Sequence, residues 1–422
     1  MPCWSAAILS MKVLHLSTHD LAGGAARAAY RVHRCLLRAG LDSRMFVRSK
    51  TSKDPTVGVR TDLFGRFYFQ VLPLLDRLYG KRLKTDDGLQ RSFNPASTLS
   101  LRRYVRPAEY DVVMLHFLGQ GFLSCREIGR LPGPVVWLLH DMWPFSGAEH
   151  YTDDQTRLSD GYTRRNRPAN QRGPDLDRRL WEAKRKHWNV ANMTVLGASR
   201  WISDLARHSR LLSAARHGVM PYPLDLRIFQ PQDKAAARRL FGLPPERKLV
   251  LFGAVGALKD RRKGFDLLTE GLARLKVPVD LVVFGNRPDD RFDDLSVPYH
   301  AVGMLADEYS LAMLYSAADV MAVPSRIDNL PQTVLESLAC GTPCVAFNVG
   351  GMPDMIRHRE NGYLASPYSA DELAAGIEWA IEDQSTGGRA SIRAREHVAA
   401  MCDEAEIGRK YIELFQSLRR TR

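Results

Sequence analysis

Short apolar runs alternate with amphipathic, helix-length stretches along most of the chain. The pattern predicts five strands in the N-terminal half, Lys12–Ser17, Ser43–Val47, Val112–His116, Val135–Leu139 and Thr194–Ala198. The Gly23–Ala39 stretch, which opens on a Gly-Gly pair, predicts the first helix. Strands that alternate with helices in this way are typical of a parallel sheet with crossover helices.

A second series of the same kind follows a proline-punctuated segment, Val219–Phe229. Its predicted strands are Leu249–Gly253, Val279–Phe284, Val320–Val323 and Cys344–Phe347, and its predicted helices are Gly264–Arg274, Tyr309–Ala317, Thr333–Ala339 and Ala370–Glu382. The fold class is therefore α/β, with two tandem Rossmann-like, doubly wound parallel-sheet domains facing a cleft. We expect an N-terminal domain over residues 11–225, a C-terminal domain over 226–403, and a last helix within 404–422 that packs back on the first domain.

The most informative stretch is Ala318–Phe347, in which a strand, a polar turn, a helix and a second strand follow one another. Asp328 lies in the turn and Glu336 lies one turn into the helix. This order places an acid and the amides of a helix N-terminus at the carboxyl end of a parallel sheet. Open α/β sheets bind nucleotides and phosphates at that edge, so the sequence predicts a phosphorylated, hydroxyl-rich ligand.

Composition narrows the class of protein. The chain has 422 residues, a formal net charge of +13 and six scattered cysteines, which indicates a two-domain globular protein with reduced core thiols and an acidic partner. No apolar run approaches the roughly 20 residues that span a bilayer. The first ten residues also lack the features of a signal peptide, so we expect a cytoplasmic protein.

The stretch PSRIDNLPQTVLESLACGTPCVAF, followed by GGMPD, resembles the donor-site signature of the retaining glycosyltransferases of the GT-B fold, family 4. The N-terminal segments LSTHDLAGGAARAAYRVHRCLLRAG, DVVMLHFLGQGFLS, VVWLLHDMWPFSGAEHY and GASRW resemble a branch of that family that builds bacterial surface polysaccharides. The resemblance runs from about Met11 to Leu418.

By this resemblance, Glu336 would receive the ribose hydroxyls of a nucleotide, and Asp328 would lie against the hydroxyls of the donor sugar. The same comparison places the segment around Asn329, Leu330, Gln332 and Thr333 against the diphosphate. Carboxylates accept strong hydrogen bonds from hydroxyls, and helix N-termini attract phosphate. The family usually has glutamate where this chain has Asp328, which is either a variation of the branch or a different sugar preference.

The resemblance also implies two cations that neutralise the departing diphosphate. Lys263 matches the family's lysine. The family's arginine position is Leu258 here, so Arg262 or Lys259 would have to take its role. Positive charge at this place favours a transition state in which the leaving group becomes more negative. A solvated basic loop is the alternative.

Candidates in the N-terminal half follow the predicted strands. Gly23 and Gly24 come after the first strand, where glycine lets the backbone approach a donor closely; a plain turn is the alternative. His140 follows the strand VVWLL, and by resemblance it contacts the donor sugar or the acceptor; a buried structural histidine is the alternative. His116 and His19 are weaker candidates.

The sequence predicts no metal site and no cofactor. Asp175 and Asp177 resemble the metal-chelating acids of the other major glycosyltransferase fold, but arginines surround them. The cations of the predicted mechanism are protein side chains, so the nucleotide-diphosphate-sugar is expected as the donor substrate without a metal.

Together these features predict a retaining hexosyltransferase that moves a sugar from a nucleotide-diphosphate-sugar to an acceptor hydroxyl, on a lipid-linked or polysaccharide precursor. The segment Phe64–Lys84 mixes aromatic, leucine and basic residues, and with the Arg-rich stretch Arg157–Lys186 it is a candidate surface for an anionic membrane. A helical insertion packed on the domain is the alternative, and Pro73 argues against a single helix.

Two other functions remain as alternatives. A nucleotide-sugar epimerase shares the fold, and an assay of nucleotide release with and without acceptor separates it from a transferase. The calculated pI of about 9.6 suggests nucleic-acid binding, but the sequence has no recognisable helix-turn-helix, zinc finger or aromatic RNA platform. We therefore expect no nucleic-acid partner.

Overall fold

The computed structural model describes residues 11–95, 101, 105–253, 260–285 and 289–420, apart from the side chains of Phe64, Arg66 and Arg420. The first ten residues, Leu258 and Lys259 lie outside the described part, and so do the predictions made for them. Two compact units make up the chain. The N-terminal unit extends to Pro223 and takes in the chain from Ala405 onward, and the C-terminal unit spans Leu224–Glu404.

The N-terminal unit is built on a parallel sheet of seven strands in the order β3-β2-β1-β4-β5-β6-β7. Its strands are β1 (Lys12–His19), β2 (Asp42–Ser49), β3 (Val57–Val59), β4 (Val112–Leu115), β5 (Val135–Leu139), β6 (Met193–Gly197) and β7 (Arg216–Val219). The helices between them are α1 (Gly24–Arg38), α2 (Leu63–Gly80), α3 (Cys125–Ile128), α4 (Gln155–Asp160), α5 (Leu176–His187) and α6 (Arg200–His208). The last helix of the chain, α14 (Glu404–Arg420), packs through Gly408 against Cys35 and Ala39 at the end of α1.

The C-terminal unit has a parallel sheet of six strands in the order β10-β9-β8-β11-β12-β13. Its strands are β8 (Lys248–Gly253), β9 (Val279–Phe284), β10 (Tyr299–Gly303), β11 (Val320–Val323), β12 (Cys344–Phe347) and β13 (Gly362–Ala365). Its helices are α7 (Lys234–Leu240), α8 (Phe265–Leu272), α9 (Glu308–Ala317), α10 (Gln332–Ala339), α11 (Met352–Met355), α12 (Ala370–Ser385) and α13 (Arg389–Cys402). Buried Val250, Phe252, Leu268 and Leu373 belong to the core between this sheet and its helices.

Both sheets reverse their strand order once, between β1 and β4 and between β8 and β11. The loops that follow these central strands therefore diverge and leave a crevice at the carboxyl edge of each sheet. The predicted class of two Rossmann-like parallel-sheet domains is confirmed. Every central strand was predicted because a strand covered on both faces is a continuous apolar run.

The four strands that the sequence did not predict, β3, β7, β10 and β13, are the edge strands of the two sheets. β7 and β10 consist of exposed and half-buried residues. A partly solvated edge strand does not need an apolar run, so its hydrophobic pattern is weak. Helices α3, α4, α5, α6, α7, α11 and α13 were also not predicted.

The expectation that Pro73 breaks the Phe64–Lys84 segment was wrong, because α2 is a single helix over Leu63–Gly80. Proline has no N–H and leaves the carbonyl four residues earlier without its helical donor. That carbonyl belongs to Phe69, and it accepts a hydrogen bond of 3.1 Å from the guanidinium of buried Arg48. A side chain from β2 thus replaces the missing backbone bond.

The five cysteines that the structure describes are buried thiols outside any disulfide, and burial raises the pKa of the Cys125 thiol to about 11. Among the described residues, no helix combines the length and the hydropathy needed to cross a bilayer.

Candidate functional site

The crevice at β8 and β11 of the C-terminal domain holds the strongest cluster of predicted residues. A 3-10 turn, Arg261–Lys263, follows β8, and Asp260 caps it by accepting the Arg262 N–H at 3.1 Å. The loop after β11 carries Asp328, whose Oδ2 lies 2.5 Å from the Nζ of Lys263. A cation and an acid 65 residues apart in sequence are therefore in contact at one sheet edge.

Two glycines hold these loops together. Gly264 has φ 68°, and a Cβ there would overlap the carbonyl oxygen of Pro324. Gly350 has φ 57°, and a Cβ there would overlap the carbonyl oxygen of Asp328. Only glycine adopts the left-handed region at no cost while allowing so close an approach. Because both glycines touch the loop after β11, they fix the position of Asp328.

An ion pair that the sequence did not suggest fastens the same loops. The guanidinium of Arg326 donates to both carboxylate oxygens of Asp266 at 2.8 and 2.7 Å, and these bonds lower the pKa of Asp266. The Arg326 N–H also donates to the Arg262 carbonyl at 2.7 Å. Bidentate pairs of this kind restrict geometry as well as adding energy. The turn that carries Lys263 is therefore held against the loop that carries Asp328.

Helix α10 begins directly beside this pair. Pro331 precedes the helix and makes no side-chain cap. Thr333, in the first turn, lines a pocket of about 280 Å³ together with Lys263 and Asp328. A helix N-terminus carries partial positive charge and outward-facing amides, so this pocket combines three features suited to an anionic ligand with hydroxyls.

The remaining predicted residues of α10 and its preceding loop are buried. Glu336 accepts a hydrogen bond of 2.7 Å from the hydroxyl of Tyr315 on α9. The backbone N–H of Asn329 donates to Asp328 Oδ1 at 3.1 Å. Leu330, Gln332 and Glu336 are at most 9% exposed. The Tyr315 hydroxyl therefore orients the Glu336 carboxylate, a contact that the sequence pattern did not indicate.

The side chain of Arg262 has a different partner from the side chain of Lys263. Its guanidinium pairs with Asp260, with 2.5 Å between Nη2 and Oδ2. It is not among the residues that line the pocket with Lys263 and Asp328. Within this pocket Lys263 supplies the cationic side chain, and Arg262 closes its own turn.

The crevice at β1 and β4 of the N-terminal domain contains the predicted glycines. Gly23 has φ 91° and precedes α1, and Gly24 is the first residue of that helix. Among the described residues, apart from the chain neighbours of Gly23, no atom lies within 4 Å of the place where a Cβ on Gly23 would stand. The backbone at the start of α1 is thus exposed to an approaching ligand.

His140 belongs to a chain of four hydrogen-bonded side chains. His15 Nδ1 lies 2.9 Å from His116 Nε2, His116 Nδ1 lies 3.1 Å from His140 Nε2, and His140 Nδ1 lies 2.9 Å from the Tyr222 hydroxyl. Burial lowers the pKa of His140 to about 4 and the pKa values of His15 and His116 well below the usual range. Both ring nitrogens of His140 are engaged, so a ligand that bonds to this ring must displace Tyr222 or His116.

Neighbouring side chains line a second pocket, of about 210 Å³, beside His140. Asp141 Oδ2 lies 2.7 Å from His150 Nδ1, and His150 Nε2 lies 2.9 Å from the Ser92 hydroxyl. His19 lies apart from this pocket, with its Nε2 3.1 Å from Gln120 Oε1. The sequence pattern gave no indication of Tyr222 or Ser92, because 82 and 58 residues separate them from His140 and His150. His150 lies nine residues after Asp141 and was not singled out.

The two acids of the Asp175–Asp177 segment contact arginines. Asp175 caps α5 by accepting the Arg178 N–H, and Asp177 accepts from Arg91 at 3.1 Å. Arg157 is fully buried among the same carboxylates. Within the described ranges no group of three histidine, cysteine or acidic side chains is arranged to hold a metal ion.

Family models match both domains. The model described as Glycosyltransferase Family 4 matches residues 22–192, and the one described as Glycosyl transferases group 1 matches residues 233–397. A D-inositol 3-phosphate glycosyltransferase of Mycobacterium marinum is 27% identical over 388 residues, covering 86% of this chain and 75% of the relative. A namesake from Segniliparus rotundus is 34% identical over 172 residues, 38% of each chain.

Solved structures share the fold over nearly the whole chain. Sucrose-phosphate synthase from Thermosynechococcus elongatus superposes with a TM-score of 0.68 at 19% identity, covering 98% of this chain and 100% of the other. Anabaena HepE in complex with UDP and glucose superposes with a TM-score of 0.65 at 18% identity, covering 96% and 100%. With both domains matched by glycosyltransferase family models, this chain belongs to the glycosyltransferases of the GT-B fold and is an enzyme of the hexosyltransferase type.

Proposed function

We propose that the protein is a retaining glycosyltransferase that moves a sugar from a nucleotide-diphosphate-sugar to an acceptor hydroxyl. The observation that carries this proposal is the contact between Lys263 and Asp328 beside the first turn of α10. HepE, which shares the fold, is described in complexes with UDP, with UDP and glucose and with UDP-glucose.

In this proposal the donor lies in the C-terminal domain. The diphosphate lies against the amides of Gln332 and Thr333 and the ammonium of Lys263, because negative charge builds on it as the glycosidic bond breaks. Glu336, oriented by Tyr315, accepts from the ribose hydroxyls. When the diphosphate engages Lys263, Asp328 is released to accept from a hydroxyl of the sugar.

The acceptor is assigned to the N-terminal domain, at the carboxyl edge of its sheet. The pocket beside His140 lies at that edge, and the Gly23–Gly24 backbone at the same edge stays a candidate for contact with the donor. His140 is neutral at physiological pH, so in this proposal it orients a hydroxyl and does not act as a nucleophile. Retention then comes from attack on the same face of the sugar that the diphosphate leaves, with a phosphate oxygen accepting the proton of the acceptor.

The chain supplies the charges that this reaction needs, so the proposal requires neither a metal nor an organic cofactor. Lys263 neutralises the leaving group, as a divalent ion does in other phosphate chemistry. We expect turnover to continue in the presence of a chelator.

The acceptor is proposed to be a lipid-linked or polysaccharide precursor, handled by a protein that binds the cytoplasmic face of a membrane peripherally. The net charge of +13 suits a diphosphate-bearing acceptor and an anionic surface.

The experiment is an assay of a panel of nucleotide sugars with and without candidate acceptors, in which NMR reads the anomeric configuration of the product. The proposal predicts acceptor-dependent release of nucleoside diphosphate and a retained configuration. Nucleotide release without acceptor, together with an epimerised sugar, would instead favour the epimerase.

A further inference from the structure

One face of helix α2 is an exposed apolar stripe. Leu63, Phe67, Leu74 and Leu78 are 85, 67, 52 and 49% exposed. Phe67, Leu74 and Leu78 lie 4, 11 and 15 residues after Leu63, so all four side chains lie on one side of the helix. Large apolar side chains grouped in this way mark an interaction surface and not ordinary surface scatter.

The opposite face of α2 is packed on the N-terminal domain. Leu72 and Asp76 are buried, and Asp76 accepts the backbone N–H groups of Phe93 and Asn94 at 2.8 and 2.7 Å. Arg48, on strand β2 of the domain, donates to the Phe69 carbonyl. The helix is therefore anchored firmly, and its apolar stripe is not the face that the domain uses for its own core.

Cations predominate beside the stripe, and exposed Asp62, at the start of the helix, pairs with the guanidinium of buried Arg60 at 2.8 Å. From 63 to 84, each exposed charged side chain that the structure describes is cationic, namely Arg77, Lys81, Arg82 and Lys84. A second basic segment adjoins them, because Lys84 and Arg172 form an antiparallel bridge with N···O distances of 3.0 and 2.8 Å. That segment carries exposed Arg164, Arg165 and Arg172, and the nearby exposed acid, Asp86, accepts a hydrogen bond from Asn170.

We infer that the apolar stripe of α2 and the basic segments at its end form a docking surface for an anionic lipid bilayer. Leucine and phenylalanine side chains on one face of an anchored helix enter the acyl boundary, and adjacent lysines and arginines face anionic headgroups. A protein partner with an apolar groove would not need this band of cations from two separate segments.

The same surface is tied to the carboxyl edge of the N-terminal sheet. The Arg48 guanidinium that holds Phe69 of α2 also donates to Gln120 Oε1 at 3.1 Å and lies 3.3 Å from His19 Nε2. His19 and Gln120 follow β1 and β4. Helix α2 and the Arg48 side chain therefore connect the bilayer surface to the edge to which the acceptor is assigned, and this consequence rests on the proposed function.

The test uses the full chain with vesicles of phosphatidylcholine alone and of phosphatidylcholine mixed with phosphatidylglycerol. The apolar variant is Phe67→Gln/Leu74→Gln/Leu78→Gln, and the charge variant is Lys81→Gln/Lys84→Gln/Arg172→Gln. The control variant is Arg389→Gln/Ile392→Gln/Arg393→Gln on α13, which removes an apolar side chain that is 61% exposed and two exposed arginines elsewhere.

We expect the wild-type protein and the control to float with the anionic vesicles, to lose binding as salt is raised, and to bind the neutral vesicles weakly. Each test variant should bind at least about tenfold less. No salt-sensitive binding by the wild type overturns the inference, as do test variants that bind like the wild type. A wild-type dimer in sedimentation velocity that the apolar variant splits, without vesicle binding, would assign the stripe to a second copy.

The result of the vesicle experiment is independent of the result of the assay that tests the proposed function. Release of nucleoside diphosphate from a donor is measured in solution without vesicles. Normal turnover with no vesicle binding removes the membrane surface alone, and vesicle binding with no turnover on any donor removes the transferase proposal alone.

Discussion

The ammonium of Lys263 lies 2.5 Å from the carboxylate of Asp328, and the two residues come from loops after neighbouring strands. In the ligand-free protein each neutralises the other. In the proposed mechanism a diphosphate beside α10 competes for the lysine, and a sugar hydroxyl then takes the place of the lysine on the aspartate. The pair thus links recognition of the two parts of the donor, which is the core of the proposed mechanism.

Because the backbone of Gly264 packs against the Pro324 carbonyl, we predict that one added methyl group at Gly264 lowers both stability and donor binding. In Gly264→Ala, the left-handed φ of 68° costs about 1–3 kcal/mol, and the Cβ overlaps the Pro324 carbonyl. We expect lower stability in urea denaturation and weaker donor binding, since the turn that carries Lys263 must move.

Gly303→Ala is the matched control for this change. Gly303 has φ 78°, but in the part of the chain that the structure describes no atom beyond its chain neighbours lies within 4 Å of its Cβ position. Gly303→Ala should lower stability by the cost of the left-handed backbone and leave donor binding unchanged. Equal effects of the two substitutions on donor binding would mean that the contact with Pro324 has no role in the site.

Removing the hydroxyl of Tyr315 tests the role of Glu336. Tyr315→Phe keeps the buried ring and deletes the 2.7 Å hydrogen bond to Glu336. Loss of a bond to a charged group costs about 1.5–3 kcal/mol, so the KM for the nucleotide donor should rise roughly 10- to 150-fold. Steady-state kinetics measures this rise. Tyr309→Phe, at an exposed position of the same helix, should leave KM unchanged, and an equal rise in both variants would contradict the assignment.

Because the N-terminal domain buries several histidines, we predict that its free energy of unfolding falls as the solution becomes more acidic. Burial lowers the pKa of both His33 and His140 to about 4 from the ordinary value of 6.5. Between these values the unfolded chain binds more protons, so the free energy of unfolding falls as pH falls. The slope is about 1.4 kcal/mol per pH unit for each such histidine.

Denaturation followed by tryptophan fluorescence at several pH values between 7 and about 5 measures this slope. His33→Gln should reduce it, since one proton-binding difference is removed. His208→Gln, at an exposed position on α6, should not change it. A slope that is the same in the wild type and in His33→Gln would show that His33 is not held neutral by the fold.

The sequence predicted the parts of the fold whose causes are local. The central strand Val135–Leu139 is buried and wholly apolar, and its bounds were predicted correctly, whereas the bounds of β1, β2 and β6 were off by one or two residues at an end. β7 and β10 are partly solvated at the sheet edges and were missed. The single helix through Pro73 depends on Arg48, 25 residues away, which no local pattern contains.

The same distinction between local and long-range causes applies to the candidate sites. Asp328 and Glu336 stand eight residues apart on one strand–turn–helix unit, so the sequence alone assigns both to the start of α10. In the structure Asp328 lines the pocket with Lys263, whereas Glu336 is not among its lining residues and bonds to Tyr315. The pairing of Arg326 with Asp266 and of His140 with Tyr222 joins residues 60 and 82 positions apart. Such pairings depend on how the loops of different strands meet, and they appear only in the folded chain.

The central claim is that Lys263 neutralises the departing diphosphate, and the rate of acceptor-dependent nucleoside diphosphate release tests it most directly. The rates of Lys263→Ala and of Arg261→Ala, an exposed neighbour in the same turn, are compared with the wild type at saturating donor. We predict that kcat falls roughly 100- to 1,000-fold in Lys263→Ala and stays near the wild-type value in Arg261→Ala. A Lys263→Ala enzyme that turns over within about threefold of the wild type would contradict the account, because so small a loss leaves no transition-state charge for Lys263 to stabilise.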